Sequence, residues 1–237
     1  MCDVSVIIPA LNEENYIENT LKSVRSQKTS LDYEVIVADN NSEDGTVEIA
    51  KRYADKVVVA KRRGVWFGRN AGARKSKGEL LVFVDADTVI PSNYLEVVSA
   101  VLEDSKISGI SCAFEFDQRS RMLDAIQELS NSYLVFRGML GKGEILGFNN
   151  AVRRKTFFQV GGFPNKPMED GAFARKLWRK GRVIYLPEPR VITSARRISK
   201  NGPITTAVYY ANLALITEMP NIPLKKLAIF KKYIPVR

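Results

Sequence analysis

The stretch Leu80-Leu81-Val82-Phe83-Val84-Asp85-Ala86-Asp87-Thr88 constrains this 237-residue chain more than any other. An unbroken apolar run, rich in β-branched and aromatic types, suits a strand buried on both faces. In open parallel sheets, ligands gather at the carboxyl ends of such strands, and Asp85 and Asp87 stand at that end. In extended chain, residues i and i+2 project to one side, so the two carboxylates can address one target. Side by side they repel each other unless a cation lies between them. A small number of hard oxygen ligands suits Mg2+ or Mn2+ shared with substrate phosphates. The alternative is a plain turn, where aspartate is common for backbone reasons.

The residues before this stretch repeat its grammar. Val4 to Pro9 is a short apolar strand, and a helix with Ile17, Leu21 and Val24 at helical spacing is expected from Asn12 onward. Tyr33 to Ala38 is a second buried strand, ending in Asp39, whose carboxylate can accept a nucleobase N–H. Ser42 or Asp44 can cap the helix Val47 to Tyr53. Val57 to Ala60 is a third strand, followed by the basic run Lys61-Arg62-Arg63, either a solvated loop or a phosphate clamp. Arg69 is expected near the start of a short helix, where its fork and backbone N–H groups can meet phosphate. The order β-α-β-α-β-α-β, with polar residues at strand ends, describes a layered α/β sheet. No G-x-G-x-x-G stands at the first turn, where Pro9-Ala10-Leu11-Asn12 lies instead, which argues against an ordinary dinucleotide-binding fold.

Composition narrows the chemistry. Histidine is absent, which removes histidine bases, triads and metal ligands. The net charge of +10 favours anionic partners: nucleotides, nucleic acid or a membrane surface. Cys2 and Cys112 lack metal-site spacing and read as free thiols in a reducing compartment. Met1-Cys2-Asp3 leads straight into a strand with no signal peptide, and no apolar run reaches the roughly 18 residues of a membrane span. A cytoplasmic protein is expected, with peripheral contact to the membrane.

Four blocks in order, S-V-I-I-P-A-L-N-E-E at 5–14, D-N-N-S-E-D-G-T at 39–46, R-N-A-G at 69–72 and D-A-D at 85–87, resemble glycosyltransferase family 2. The resemblance continues through Gly147 to Arg154, Val160-Gly161-Gly162-Phe163 and Glu169-Asp170, and so covers about residues 4–197. It implies a GT-A fold, an α/β architecture with a Rossmann-like nucleotide half (about 1–90) beside a mixed-sheet acceptor half (about 91–202). The activity it implies is inverting transfer of a sugar from a UDP- or GDP-linked donor to a glycan or lipid-linked acceptor. On the donor side it points to Pro9, Asn12, Glu13, Asp39, Arg69, Asp85 and Ala86, with Mg2+ or Mn2+ on Asp87 and Asp85. On the acceptor side it points to Asn149, Asn150 and Glu169, with Asp170 as the base that takes the acceptor's proton. Arg175, one helical turn on, is positioned to hold Asp170 ionised.

Beyond residue 90, Gly109 to Phe116 reads as a strand and Ser120 to Leu140 as a helix. Its Met122, Leu123, Ile126, Leu129, Tyr133, Leu134 and Phe136 form a wide apolar face, expected mainly to pack on the core. Gly138, Gly141, Gly143 and Gly147 make the next loop flexible. Met168 to Gly171 opens a helix to about Lys180, whose first-turn acids also complement the helix dipole. Arg182 to Leu186 and Arg190 to Ser194 read as two strands. Ala195 to Gly202 reads as a basic loop whose Arg196, Arg197 and Lys200 can neutralise a leaving diphosphate, in the absence of the late histidine or Q-x-x-R-W block of many relatives. Residues 203–237 read as an apolar then lysine-paired helical tail, suited to an anionic membrane, to its own domain or to a second subunit.

Two rivals stay open. A nucleotidyltransferase shares the sheet order but wants a glycine-rich loop after the first strand. A basic nucleic-acid-binding module explains the charge but not the placed aspartates, so no nucleic-acid partner is expected. A family member that has lost activity is a further alternative. Thr88-Val89-Ile90 after the D-A-D departs from the dolichol-phosphate mannose synthases, which the chain otherwise resembles.

Overall fold

The computed structural model describes residues 2–60, 64–166 and 168–202. The basic run 61–63 and the tail 203–237 lie outside the described residues. Among the described residues, sixteen elements follow one another: β1 (Val4–Ala10), α1 (Ile17–Arg25), β2 (Tyr33–Asp39), α2 (Thr46–Tyr53), β3 (Lys56–Val59), α3 (Val65–Lys75), β4 (Leu80–Val84), β5 (Thr88–Val89), α4 (Tyr94–Leu102), β6 (Ile107–Phe116), α5 (Arg121–Met139), β7 (Asn149–Arg153), α6 (Arg154–Gln159), α7 (Glu169–Leu177), β8 (Arg182–Thr193) and α8 (Arg196–Asn201).

The strands form one sheet in the order β3-β2-β1-β4-β7-β6-β8-β5. β3, β2, β1 and β4 run parallel. β7 then enters antiparallel to both β4 and β6, and β8 runs parallel to β6. The apolar runs read from the sequence are the central strands, and alternate residues serve opposite faces, as the period of a strand requires. Val4, Val6, Ile8, Val82 and Val84 join one core with α1 and α4. Ile7, Leu81 and Phe83 join the other with α6 and α7. There Phe83, Phe157, Phe163 and Phe173 cluster, with Phe163 and Phe173 only 4.4 Å apart between ring centroids.

Several elements differ from the sequence expectation. α1 starts at Ile17, five residues after Asn12, because Asn12 adopts a left-handed conformation (φ 55°) and is tied to the loop after β2. Its N–H donates to Ser42 Oγ at 2.9 Å and its Oδ1 accepts the Glu43 N–H at 2.9 Å. Arg182 to Thr193 is one strand rather than two: Leu186 pairs with Cys112 and Val191 with Phe114, so Pro187 to Arg190 is accommodated as a register shift. Residues 196–201 form a short helix and not a loop. β7 has no apolar-run signature because Asn149 and Asn150 open it, yet it lies at the centre of the sheet. The loop after α5 is held by close packing rather than left flexible. A Cβ at Gly143 would come within 2.7 Å of the Val183 carbonyl, and one at Gly147 within 2.5 Å of an Arg69 nitrogen.

α5 carries the largest departure. Leu123 and Leu134 are buried, but Met122, Leu129, Tyr133 and Phe136 face outward, against the expectation of a core-packed face.

Candidate functional site

The carboxyl ends of β1, β2 and β4 bring the predicted polar residues to one edge of the sheet, as the parallel topology requires. Two charge clusters form there. In the first, Arg69 rises from the second turn of α3 and is only 2% exposed. Its Nη2 donates to Asp85 Oδ1 at 2.8 Å and its Nη1 to Glu169 Oε1 at 2.7 Å. The guanidinium also lies over the Phe163 ring, 5.2 Å from its centroid. One side chain thus ties the end of β4 to the start of α7. The neighbouring carboxylates raise the Arg69 pKa further above its ordinary value and outweigh the cost of burial. The sequence expectation put Arg69 near a helix start and free to meet phosphate. It stands in the second turn, and both Nη atoms are engaged by carboxylates.

Asp170 stands beside this cluster. Its Oδ1 accepts the Gly171 N–H at 2.8 Å and its Oδ2 the Gly147 N–H at 3.3 Å. Burial, with Glu169 next to it, pushes the Asp170 carboxyl up to about 6, while Arg69 pulls the other way. The cation beside it therefore comes from α3, in addition to Arg175 expected from its own helix. Met168, at the N-cap of α7, takes a left-handed conformation (φ 51°), a costly geometry for a non-glycine residue that turns the chain just before the acid pair.

The second cluster joins Glu13, Arg196 and Asp87. Arg196 grips Glu13 through two hydrogen bonds of 2.7 Å and reaches Asp87 Oδ2 at 3.0 Å, with its guanidinium over the Tyr16 ring. Burial first, then the Asp85 and Glu13 carboxylates, push Asp87 up to about 7 against the pull of Arg196. A carboxylate so disfavoured as an anion has the chemistry of a site that a divalent cation would relieve. No group of three or more acids, cysteines or histidines that could hold a metal ion occurs among the described residues.

The other predicted positions have structural partners. Asp39 is buried, and its Oδ2 accepts the N–H groups of Asn41 and Ser42 at 3.0 Å each, while the Ser42 hydroxyl donates to Oδ1. Ser42 is thereby taken out of helix capping, and Asp44 accepts the Thr46 N–H at 3.0 Å instead. Pro9 and Ala86 are buried in the strand ends, and the Ala86 carbonyl accepts the Thr20 hydroxyl. Asn149 is fully buried and spans to β6, accepting the Cys112 N–H at 2.7 Å and donating to its carbonyl at 3.1 Å. Asn150 is also fully buried and donates to the Leu146 carbonyl. Arg197 follows Arg196 on α8.

Asn70 and Gly162 had no individual role in the sequence expectation, and Gly147 figured there in a flexible loop. Asn70 donates to the Phe163 carbonyl at 2.8 Å and accepts its N–H at 3.1 Å, pinning the turn that leads toward α7. Gly162, with φ +62°, leaves room for that amide. These contacts join residues more than ninety positions apart, so only the R-N-A-G and G-G-F blocks themselves could have signalled them.

Residues 5–161 match the sequence profile of the family described as glycosyl transferase family 2. Glycosyltransferase AglE of Haloferax volcanii is 30% identical over 176 residues, which are 71% of this chain and 58% of that protein, so the chain matches little more than half of that relative's length. Among solved structures, a mannosyltransferase of Pyrobaculum calidifontis in complex with GDP-Man and Mn2+ superposes with a TM-score of 0.72 at 24% identity, covering 98% of this chain and 66% of that one. S. aureus TarS 1–349 in complex with UDP-GlcNAc superposes with a TM-score of 0.66 at 21% identity over 82% of this chain and 59% of that one. These likenesses show the fold, the mixed α/β sheet called GT-A.

Proposed function

Because the chain belongs to glycosyl transferase family 2, and is a glycosyltransferase of GT-A fold, we propose that it moves a sugar from a nucleoside diphosphate sugar to an acceptor hydroxyl with inversion at the anomeric carbon. The observation that carries this reading is the Arg69 bridge. One buried guanidinium holds the donor-side Asp85 and the Glu169-Asp170 pair in a single arrangement. A donor phosphate at the end of β4 and an acceptor hydroxyl at the start of α7 would then meet at fixed geometry, which is how positioning lowers a barrier.

Asp85 and Asp87 fit an ion such as Mg2+ or Mn2+, which when bound supplies Lewis-acid stabilisation of the charge on the departing diphosphate. The remaining ligands would come from the donor and water. Arg196 and Arg197, at the start of α8, would meet that diphosphate, with Glu13 holding Arg196 through two hydrogen bonds. Asp39 would take a base N–H once its Ser42 contact yields. Asp170 takes the acceptor's proton as the new bond to the anomeric carbon forms and the bond to the diphosphate oxygen breaks. A carboxyl near 6 is ionised at neutral pH and still basic enough for that step. The solved relatives hold GDP-Man and UDP-GlcNAc, so donors of both base types belong in the test. The domain division at about residue 90, and membrane or subunit contact through 203–237, belong to this proposal as well.

Thermal-shift titration with UDP- and GDP-sugars and Mn2+ tests the site. A metal-dependent rise in melting temperature is expected for one donor, and Asp87→Ala removes it. Absence of a shift with every donor, or an unchanged shift in Asp87→Ala, overturns the assignment.

A further inference from the structure

α5 is built inside out. Its inward face carries Gln127 and Asn131, whose side chains are consumed by the backbone of β6. Asn131 accepts the Phe114 N–H and donates to the Phe114 carbonyl, and Gln127 accepts the Phe116 N–H. The Tyr185 hydroxyl completes the arrangement by donating to Asn131 Oδ1 at 2.7 Å. With polar residues used inside, the large apolar side chains fall outside. Met122, Leu129, Tyr133, Phe136, Met139 and Leu140 are between 52% and 76% exposed. Their spacing follows the 3.6-residue period, so they form one stripe along about five turns. Scattered exposed apolar residues need no explanation, but a contiguous stripe of this size marks a contact surface.

The charges around the stripe indicate what the contact is. The acids on α5 are engaged: Glu128 pairs with Arg190 at 2.5 Å and Asp124 lies 3.8 Å from Arg119. Exposed Arg121 opens the helix, and exposed Lys142 and Arg182 lie just beyond its other end. The whole chain carries +10. A second copy docking α5 antiparallel about a two-fold axis would bring Arg121 against the Lys142 end of its mate, like charge on like. The segment 203–237 of this chain is itself basic, with Lys225, Lys226, Lys231 and Lys232, so it is no better matched. An anionic bilayer complements both features, apolar centre and basic ends.

We propose that the outward face of α5 lies on an anionic lipid surface. The loop leaving α5 runs to Gly147, whose N–H donates to Asp170 Oδ2 at 3.3 Å. The inference goes beyond sugar transfer and does not depend on it.

Co-sedimentation of the full chain with phosphatidylglycerol/phosphatidylcholine vesicles, against pure phosphatidylcholine, tests it. The wild type binds the anionic vesicles and is released by 0.5 M salt on the order expected for surface charges. The double variant Leu129→Glu/Phe136→Glu, both positions solvent-facing, keeps its melting temperature and binds roughly 100-fold more weakly, from the loss of two inserted side chains. The proposal is overturned if the wild type fails to bind, if the variant binds undiminished and so places the contact elsewhere, as in residues 203–237, or if the stripe proves to hold a dimer that the variant splits without lipid.

Discussion

Replacing Arg69 by methionine removes the guanidinium that joins Asp85 to Glu169 and leaves a side chain of similar reach in the same buried channel. Removing one partner of a buried ion pair costs about 3–5 kcal/mol, because the other charge is stranded. Here the stranded carboxylates are 29% and 17% exposed, so water reaches part of each, and the lower end, about 3 kcal/mol, applies. For a chain of this size that corresponds to a melting temperature lower by roughly 6–12 °C. The cost also depends on pH. Asp170 has its pKa raised to about 6 in the folded state, and Arg69 is the cation that opposes the rise. A carboxyl raised in this way is protonated below that value and presents no anion for Arg69 to stabilise. Above it, the anion depends on Arg69. The variant's deficit is therefore larger at pH 8 than at pH 5. Urea denaturation of both proteins at the two pH values, followed by circular dichroism, measures it. A deficit below about 1 kcal/mol, or one equal at both pH values, refutes the reasoning. Arg69→Lys keeps the charge but loses the fork, and recovers only part of the loss.

Asp170→Asn lowers turnover by about 10²–10⁴-fold while donor binding in a thermal-shift assay stays within a few-fold, as expected for a base that acts on the acceptor. In the wild type the rate falls as pH drops through about 6, because the raised Asp170 carboxyl takes up its proton there; a rate flat from pH 5 to 8 removes Asp170 from the role. Gly147→Ala places a methyl 2.5 Å from Arg69 Nη2 and costs about 1–3 kcal/mol of overpacking, read as a lower melting temperature together with lost turnover. Asn149→Ala leaves the Cys112 N–H and carbonyl without their side-chain partner and destabilises by about 2–4 kcal/mol in urea titration, with no direct effect on donor affinity.

The parallel half of the sheet was legible because its strands are apolar on both faces and end in conspicuous polar residues. Leu80–Val84 emerged with the bounds read for it, and the neighbouring strands within a residue or two. β7 was not legible as a strand, since Asn149 and Asn150 give it a polar start; the partners those side chains find lie across on β6 and in the loop before β7. The helix α5 shows the limit of periodicity. A 3.6-residue apolar pattern locates a helix face but does not say which way it turns, and here Gln127 and Asn131 are drawn inward by unpaired backbone of β6. At the site, the residue types were readable and their pairings were not. Arg69 was visible as a cation near a phosphate-binding end, but its bond to Glu169 spans 100 positions and has no local signal. The grip of Arg196 on Glu13 spans 183. The same holds for Asp39, whose strand-end position is plain while its local contacts with Asn41 and Ser42 are set by the turn.

The central claim is that the Asp85-Asp87 end of β4 and Asp170 at the start of α7 work on one nucleoside diphosphate sugar. Phosphorus NMR of the protein with candidate UDP- and GDP-sugars, with Mg2+ and with the ion chelated, tests it most directly. The account predicts metal-dependent release of free nucleoside diphosphate from one donor, lost in Asp87→Ala and strongly slowed in Asp170→Asn. Release of pyrophosphate instead, or nucleoside diphosphate released equally by Asp170→Asn in the presence of acceptor, contradicts it.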